Sequence, residues 1–313
     1  MRAQLVKTLV LVAGLALMFA CKAPEPPANS PKPTGKATSP DKASPPTKAG
    51  PDKAAAAAEA SALTTGVTKD TIKIGQLGPQ TGPAALWGAV ARGTRAYFDM
   101  INAEGGIHGR KLELLIRDDA YQPARTKAAV MELVEKEGVF AMVGGLGTGP
   151  AMAVMGYLAE KKVPWVGPVS GSSKLATTPT RYLFSDYPQY ATESRLLVRH
   201  LMTTENKSKI AVIYLNDDYG KEGLEGARDE LKSAGLELVA EVSAEMSDQD
   251  LSSHVLKLKA SGAEAVLVWL MPKQAAITLG TAAKLGFKPT WVASSALSDA
   301  PLMYKVTKGL WEG

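Results

Sequence analysis

One cysteine, three histidines and five phenylalanines are all that 313 residues contain of those types, and aromatic residues together make up 6%. A single thiol closes no intramolecular disulfide and builds no metal cluster. His108, His200 and His254 are scattered, no H-E-x-x-H occurs, and neither a P-loop nor a G-x-S-x-G turn is present. These absences argue against a metallohydrolase, a nucleotide hydrolase and a serine hydrolase, and the chain is read as no enzyme. Basic charge is also scarce where it would matter. The net charge is +5, but residues 1–62 hold four of those charges, which leaves about +1 for the rest. A nucleic-acid footprint needs cations clustered on a folded face, so no nucleic-acid partner is expected. No apolar run reaches the roughly 18 residues that span a bilayer.

The longest apolar run, residues 9–20, follows Arg2 and Lys7 and ends at Cys21. Its length fits the core of an export signal. LMFAC is similar to a bacterial lipobox, which makes Cys21 a lipidation site and residues 1–21 a lipoprotein signal peptide. The plainer alternative is ordinary cleavage beside an incidental cysteine. Residues 22–66 are rich in Pro, Ala, Lys, Ser and Thr. Such a composition buries too little apolar surface to offset its ordering entropy and reads as a disordered, extended tether.

From residue 71 onward β-branched apolar runs alternate with longer segments of helical periodicity. Strands are expected at 71–77, 111–117, 139–143, 163–169, 183–185, 209–215, 236–242, 265–270 and 290–293. Helices are expected at 85–103, 125–136, 151–161, 192–202, 221–233, 251–260 and 274–285. The pattern predicts an α/β chain with parallel sheets. Pro188 interrupts it, dividing two series into lobes at 67–187 and 188–313. Ligands of such sheets bind beyond the carboxyl ends of the strands. That rim includes GPQTGPAALWG (78–88), DDAYQP (118–123), GGLGTGPA (144–151) and GPVSGSS (167–173). Gly147 and Thr148 stand where glycine lets backbone approach a ligand and a helix N-terminus attracts an anion, for which a carboxylate is the natural guest. A plain tight turn is the alternative. Val169, Ser170, Gly171 and Ser172 present hydroxyl and N–H groups to the same rim, with helix capping as the other role for the serines.

GPQTGPAALWG, INAEGGIHGRKLEL, DDAYQP, GGLGTGPA, GPVSGSS and NDDYGKEG (216–223), in this order, resemble the type I periplasmic binding proteins that bind leucine, isoleucine and valine. The resemblance runs from about Ile72 to the end. It implies two doubly wound, Rossmann-like lobes joined by a hinge, with no cofactor. It also implies an exported receptor, periplasmic or at the cell surface, that carries a branched-chain amino acid or related carboxylate to an ABC permease in the inner membrane. A ligand sensor of the same fold feeding a signalling partner is the alternative. By resemblance Thr148, Ser170 and Ser172, with the backbone of Gly171, hold the ligand's α-carboxylate. Trp87 stands near its side chain, and Tyr219 closes from the second lobe. The family's two acidic ammonium positions fall at Tyr190 and Ser295, neither of them acidic, with Asp186 and Asp299 nearby as substitutes. The family continues with further crossovers beyond GLWEG (309–313), so the sequence reads as ending early, with each lobe incomplete.

Overall fold

The structure, a computed structural model, describes residues 65–178 and 180–311. The expected export signal, Cys21 and nearly all of the tether at 22–66 lie outside the described residues.

Among the described residues nine strands form two parallel sheets. β1 (Thr71–Gly78), β2 (Lys111–Asp118), β3 (Ala141–Val143), β4 (Trp165–Val166) and β5 (Leu183–Phe184) lie in the order β2-β1-β3-β4-β5. β6 (Ile210–Leu215), β7 (Ala240–Ala244), β8 (Ala265–Trp269) and β9 (Thr290–Ala293) lie in the order β7-β6-β8-β9. Each sheet therefore reverses its winding at the strand pair β1/β3 or β6/β8. The chain is a two-lobed α/β fold.

The helices of the first lobe are α1 (Ala89–Ala103), α2 (Pro123–Met131), α3 (Thr148–Glu160) and α4 (Ser173–Thr177). Those of the second are α5 (Tyr190–Thr203), α6 (Asp218–Ser233), α7 (Ser252–Ala260), α8 (Pro272–Lys284) and α9 (Ala300–Thr307). The alternation along β6 explains why helices must flank its sheet. Ile210 and Val212 enter one apolar cluster, and Ala211 and Ile213 enter another on the opposite face. β8 does the same with Leu267 and Trp269 against Val266 and Val268. Strands apolar on both faces are stable only when both faces are covered, as parallel crossovers ensure.

Several boundaries differ from the periodic pattern. The helix expected from residue 85 opens with a separate 3₁₀ turn, Ala85–Gly88, before α1. α2 starts at Pro123, whose fixed φ suits a first helical position, and continues as a π turn over Glu132–Lys136. α3 begins at Thr148, because Pro150 falls within its first turn and leaves no intrahelical bond broken. The strand expected at 163–169 shrinks to Trp165–Val166, and Val169 returns to the sheet only through an isolated bridge to Leu146. The strand expected at 236–242 is Ala240–Ala244, shifted toward its carboxyl end. α4 and α9 were not expected. α9 is started by the Asp299 carboxylate, which accepts from the Leu302 N–H at 3.0 Å.

Candidate functional site

A cavity of about 240 Å³ lies between the two lobes. Its walls come from loops that leave the carboxyl ends of strands. Leu86 and Trp87 follow β1, Tyr121 follows β2, Gly147 follows β3, Val169 follows β4, Tyr219 follows β6, Pro272 follows β8 and Ser295 follows β9. Tyr187 and Tyr190 reach it from the crossing between the lobes, and Asp299, Leu302 and Met303 from the start of α9. Ligand sites of wound sheets sit at such reversal points. A more open groove of about 570 Å³ runs along β9, but only the second lobe builds it.

The loop after β2 shows how local sequence aims a wall residue. Ala120 and Tyr121 have φ of 50° and 62°, left-handed values that cost a residue with a Cβ. The two aspartates before them hold that turn: Asp118 accepts from the Ala120 N–H at 3.0 Å and Asp119 from the Tyr121 N–H at 2.9 Å. Burial pushes the Asp118 carboxyl up, but bonds from Thr81, Ala120 and Gln80 outweigh it and hold the pKa at about 2. Asp119 is buried and raised by that burial. Both carboxylates thus hold the turn by accepting backbone N–H bonds. Gly147 makes room for the ring it aims: at φ 110° a Cβ there would stand 2.4 Å from the Tyr121 ring.

Six expected contact residues line the cavity: Trp87, Gly147, Val169, Tyr190, Tyr219 and Ser295. Thr148, Ser170, Gly171 and Ser172 stand behind that wall. The Thr148 and Ser170 hydroxyls are buried and bond each other at 2.8 Å. The Ser172 hydroxyl donates to Glu222 of α6, whose other carboxylate oxygen accepts from the Ser173 N–H at 2.9 Å. Gly171 packs so closely on the Pro188 carbonyl that a Cβ would come within 2.1 Å of it. Of the two substitute acids, Asp299 lines the cavity, whereas Asp186 stands beside Gly167 outside it. Tyr219, which the resemblance has closing from the second lobe, is 2% exposed. It belongs to the same apolar cluster as Trp87 and Tyr190.

Polar contacts cross the gap. The Trp87 indole N–H donates to the Ala296 carbonyl at 3.0 Å, and the Tyr121 hydroxyl to the Asp217 carboxylate at 3.5 Å. Asp217 also caps α6 by accepting from the Gly220 N–H at 2.9 Å. Burial pushes its carboxyl up to about 6; the Gly220 bond opposes this and the Asp218 charge reinforces it. Glu193 accepts from both the backbone N–H and the hydroxyl of Ser295, and burial raises its carboxyl despite those bonds. An acid therefore does reach Ser295, from helix α5. The sequence reading missed Glu193, Asp217 and Glu222 because each meets its partner across 50 or more residues. It also left out Tyr121, although DDAY had been placed on the rim. Burial raises the hydroxyls of Tyr121, Tyr187, Tyr190 and Tyr219, so all four are neutral at physiological pH. The Tyr219 hydroxyl is buried with no hydrogen-bond partner among the described residues.

A family profile described as periplasmic binding protein matches residues 71–308. A Leu/Ile/Val-binding protein homolog 3 of Brucella melitensis is 31% identical over 196 residues, which cover 62% of this chain and 53% of that one. The chain thus spans about half the length of that curated relative. Among solved structures, a substrate-binding periplasmic protein from Ralstonia solanacearum matches with a TM-score of 0.71 at 29% identity, over 76% of this chain and 67% of that one. A fatty acid ABC transporter substrate-binding protein from Thermomonospora curvata matches with a TM-score of 0.70 at 26% identity, over 78% of this chain and 63% of that one.

Proposed function

The chain belongs to the periplasmic binding protein family, and from that premise we propose that it is an exported solute receptor that holds a small amino-acid-like carboxylate between its lobes. The observation that carries this reading is the cavity, walled by the loops after β1 to β4 on one side and after β6, β8 and β9 on the other. A ligand touching both walls stabilises the lobes together, and that state is what a membrane permease recognises. The receptor delivers its solute to an ABC permease and is tethered to the membrane by a lipid on Cys21.

Ligand size follows from the volume. About 240 Å³ lies just below the usual range for drug-sized sites and suits a molecule of amino-acid size better than a long acyl chain. The carboxylate sits at the start of α3, where Thr148 and Gly149 have N–H groups without intrahelical acceptors. The Thr148 and Ser170 hydroxyls bond each other at 2.8 Å directly behind the cavity wall. The Gly171 N–H completes this end. Ser172 orients its loop through Glu222. The test is calorimetry of leucine and 4-methylpentanoate with the full chain and with Trp87→Ala. Saturable binding that weakens at least tenfold in the variant supports the receptor reading; equal heats in both proteins sink it.

A further inference from the structure

Ser295 stands on the cavity wall at the first position of the 3₁₀ turn Ser295–Leu297, where a backbone N–H has no partner inside the turn. Glu193 of α5 supplies that partner and takes the side chain as well. One of its carboxylate oxygens accepts from the Ser295 N–H, and the other accepts from the Ser295 hydroxyl at 3.1 Å. The turn is fixed from two further sides. The Ser294 hydroxyl accepts from the Ala296 N–H at 3.2 Å, and the Ala296 carbonyl accepts from the Trp87 indole. Glu193 enters no ion pair among the described residues, and Ser295 occupies both of its oxygens.

These two bonds govern what the Ser295 hydroxyl can offer the cavity. A hydroxyl carries one proton and two lone pairs, whereas an ionised carboxylate only accepts. With Glu193 facing it, the Ser295 proton is committed and the lone pairs remain. The Tyr187 hydroxyl, 3.4 Å away and also on the wall, can donate to one of them. The other is left for a solute. The same side of the cavity carries the Asp299 carboxylate, one oxygen of which accepts from the Leu302 N–H at 3.0 Å while the other has no partner among the described residues. Both groups accept. The start of α3, on the first lobe, presents N–H groups instead. The cavity is therefore polarised, with donors on one lobe and acceptors on the other.

We propose that Glu193 is a positioning residue that fixes Ser295 as an acceptor, so that the second-lobe wall selects solutes carrying an N–H or O–H donor in addition to their carboxylate; this rests on the reading of the cavity as a solute site. The probes for the full chain are leucine, 2-hydroxy-4-methylpentanoate and 4-methylpentanoate, which carry an ammonium, a hydroxyl and no donor on one carbon skeleton. Calorimetry is expected to show leucine binding roughly tenfold and the hydroxy acid about fivefold tighter than 4-methylpentanoate, the scale of a charge-assisted and a neutral hydrogen bond. In Glu193→Gln the new amide donates to the Ser295 hydroxyl and turns its proton toward the cavity, so both preferences should fall to about twofold or less while 4-methylpentanoate binds as before. Ser295→Ala should lower them equally, and adding Glu193→Gln to it should lower them no further. If Glu193→Gln does not melt cooperatively, Ser295→Ala decides alone, and preferences that survive it overturn the proposal. Equal weakening of all three probes by Glu193→Gln makes the residue merely structural and also overturns it. So does a wild-type chain that binds the three alike, although the receptor reading then stands. If the folded chain binds none of the three, both fail.

Discussion

The carboxylates of α6 and β7 that meet arginines and those near the cavity are held in opposite ways. Outside, Asp229, Glu230 and Glu241 each meet an arginine. Inside, Asp217, Glu193 and Glu222 are held by hydroxyls and backbone N–H groups, with no arginine or lysine ion pair among the described residues. An exposed ion pair is screened by solvent and gains little from its partner. A carboxylate inside depends on each hydrogen bond, because losing one strands a desolvated donor. The outer charges are replaceable, whereas Asp217 and Glu222 tie the second lobe to the first and Glu193 fixes Ser295 within the second.

The largest break in this comparison is Glu222→Ala. It leaves the Ser172 hydroxyl and the Ser173 N–H without acceptors, and unfolding in urea is expected to show a loss of about 2–3 kcal/mol. Asp217 sharpens it through pH. Its folded pKa of about 6 lies above the ordinary value of 3.8, so the folded state binds the proton more tightly than the unfolded one. The contribution is full below about pH 4 and is lost as pH rises through 6. Acidifying from pH 7 to 5 should therefore add about 1 kcal/mol from this residue. Asp217→Asn retains an N-cap and should remove that increment from the difference in stability between the two pH values. The smallest effect belongs outside. Arg228→Ala is expected to change stability by no more than about 0.5 kcal/mol, and less still in high salt. A loss as large as that of Glu222→Ala would erase the distinction.

Much of the fold was legible because two-sided burial leaves continuous apolar runs such as IAVIYL and AVLVW, which admit few other readings. Short strands were less so. WV and LF are two residues each, and their pairing depends on neighbours far along the chain. The cavity was legible where a wall residue sits inside a rim motif, as with Trp87 in ALWG and Tyr219 in NDDYG. Its electrostatics were not. Nothing local in YATESR directs Glu193 to Ser295, 102 positions away, and a helix glutamate reads equally well as solvent-facing. Asp299 was noticed only as a neighbour of a position expected to be acidic. Tyr121 shows a third kind of limit: its aim depends on two successive left-handed residues, which a sequence pattern does not reveal.

The bond from the Trp87 indole to the Ala296 carbonyl has a kinetic consequence. It joins the loop after β1 to the 3₁₀ turn after β9 at the cavity wall, and the Glu222 carboxylate ties α6 to the loop after β4. On the proposed reading, a solute waits for these ties and the Tyr121–Asp217 bond to part before it enters, and again before it leaves. In rapid mixing, the observed rate should therefore level off at the opening rate as solute concentration rises, instead of climbing in proportion. Weakening any of these ties would raise that plateau and shorten the residence time together, so a receptor that fills faster would also hold its cargo less long.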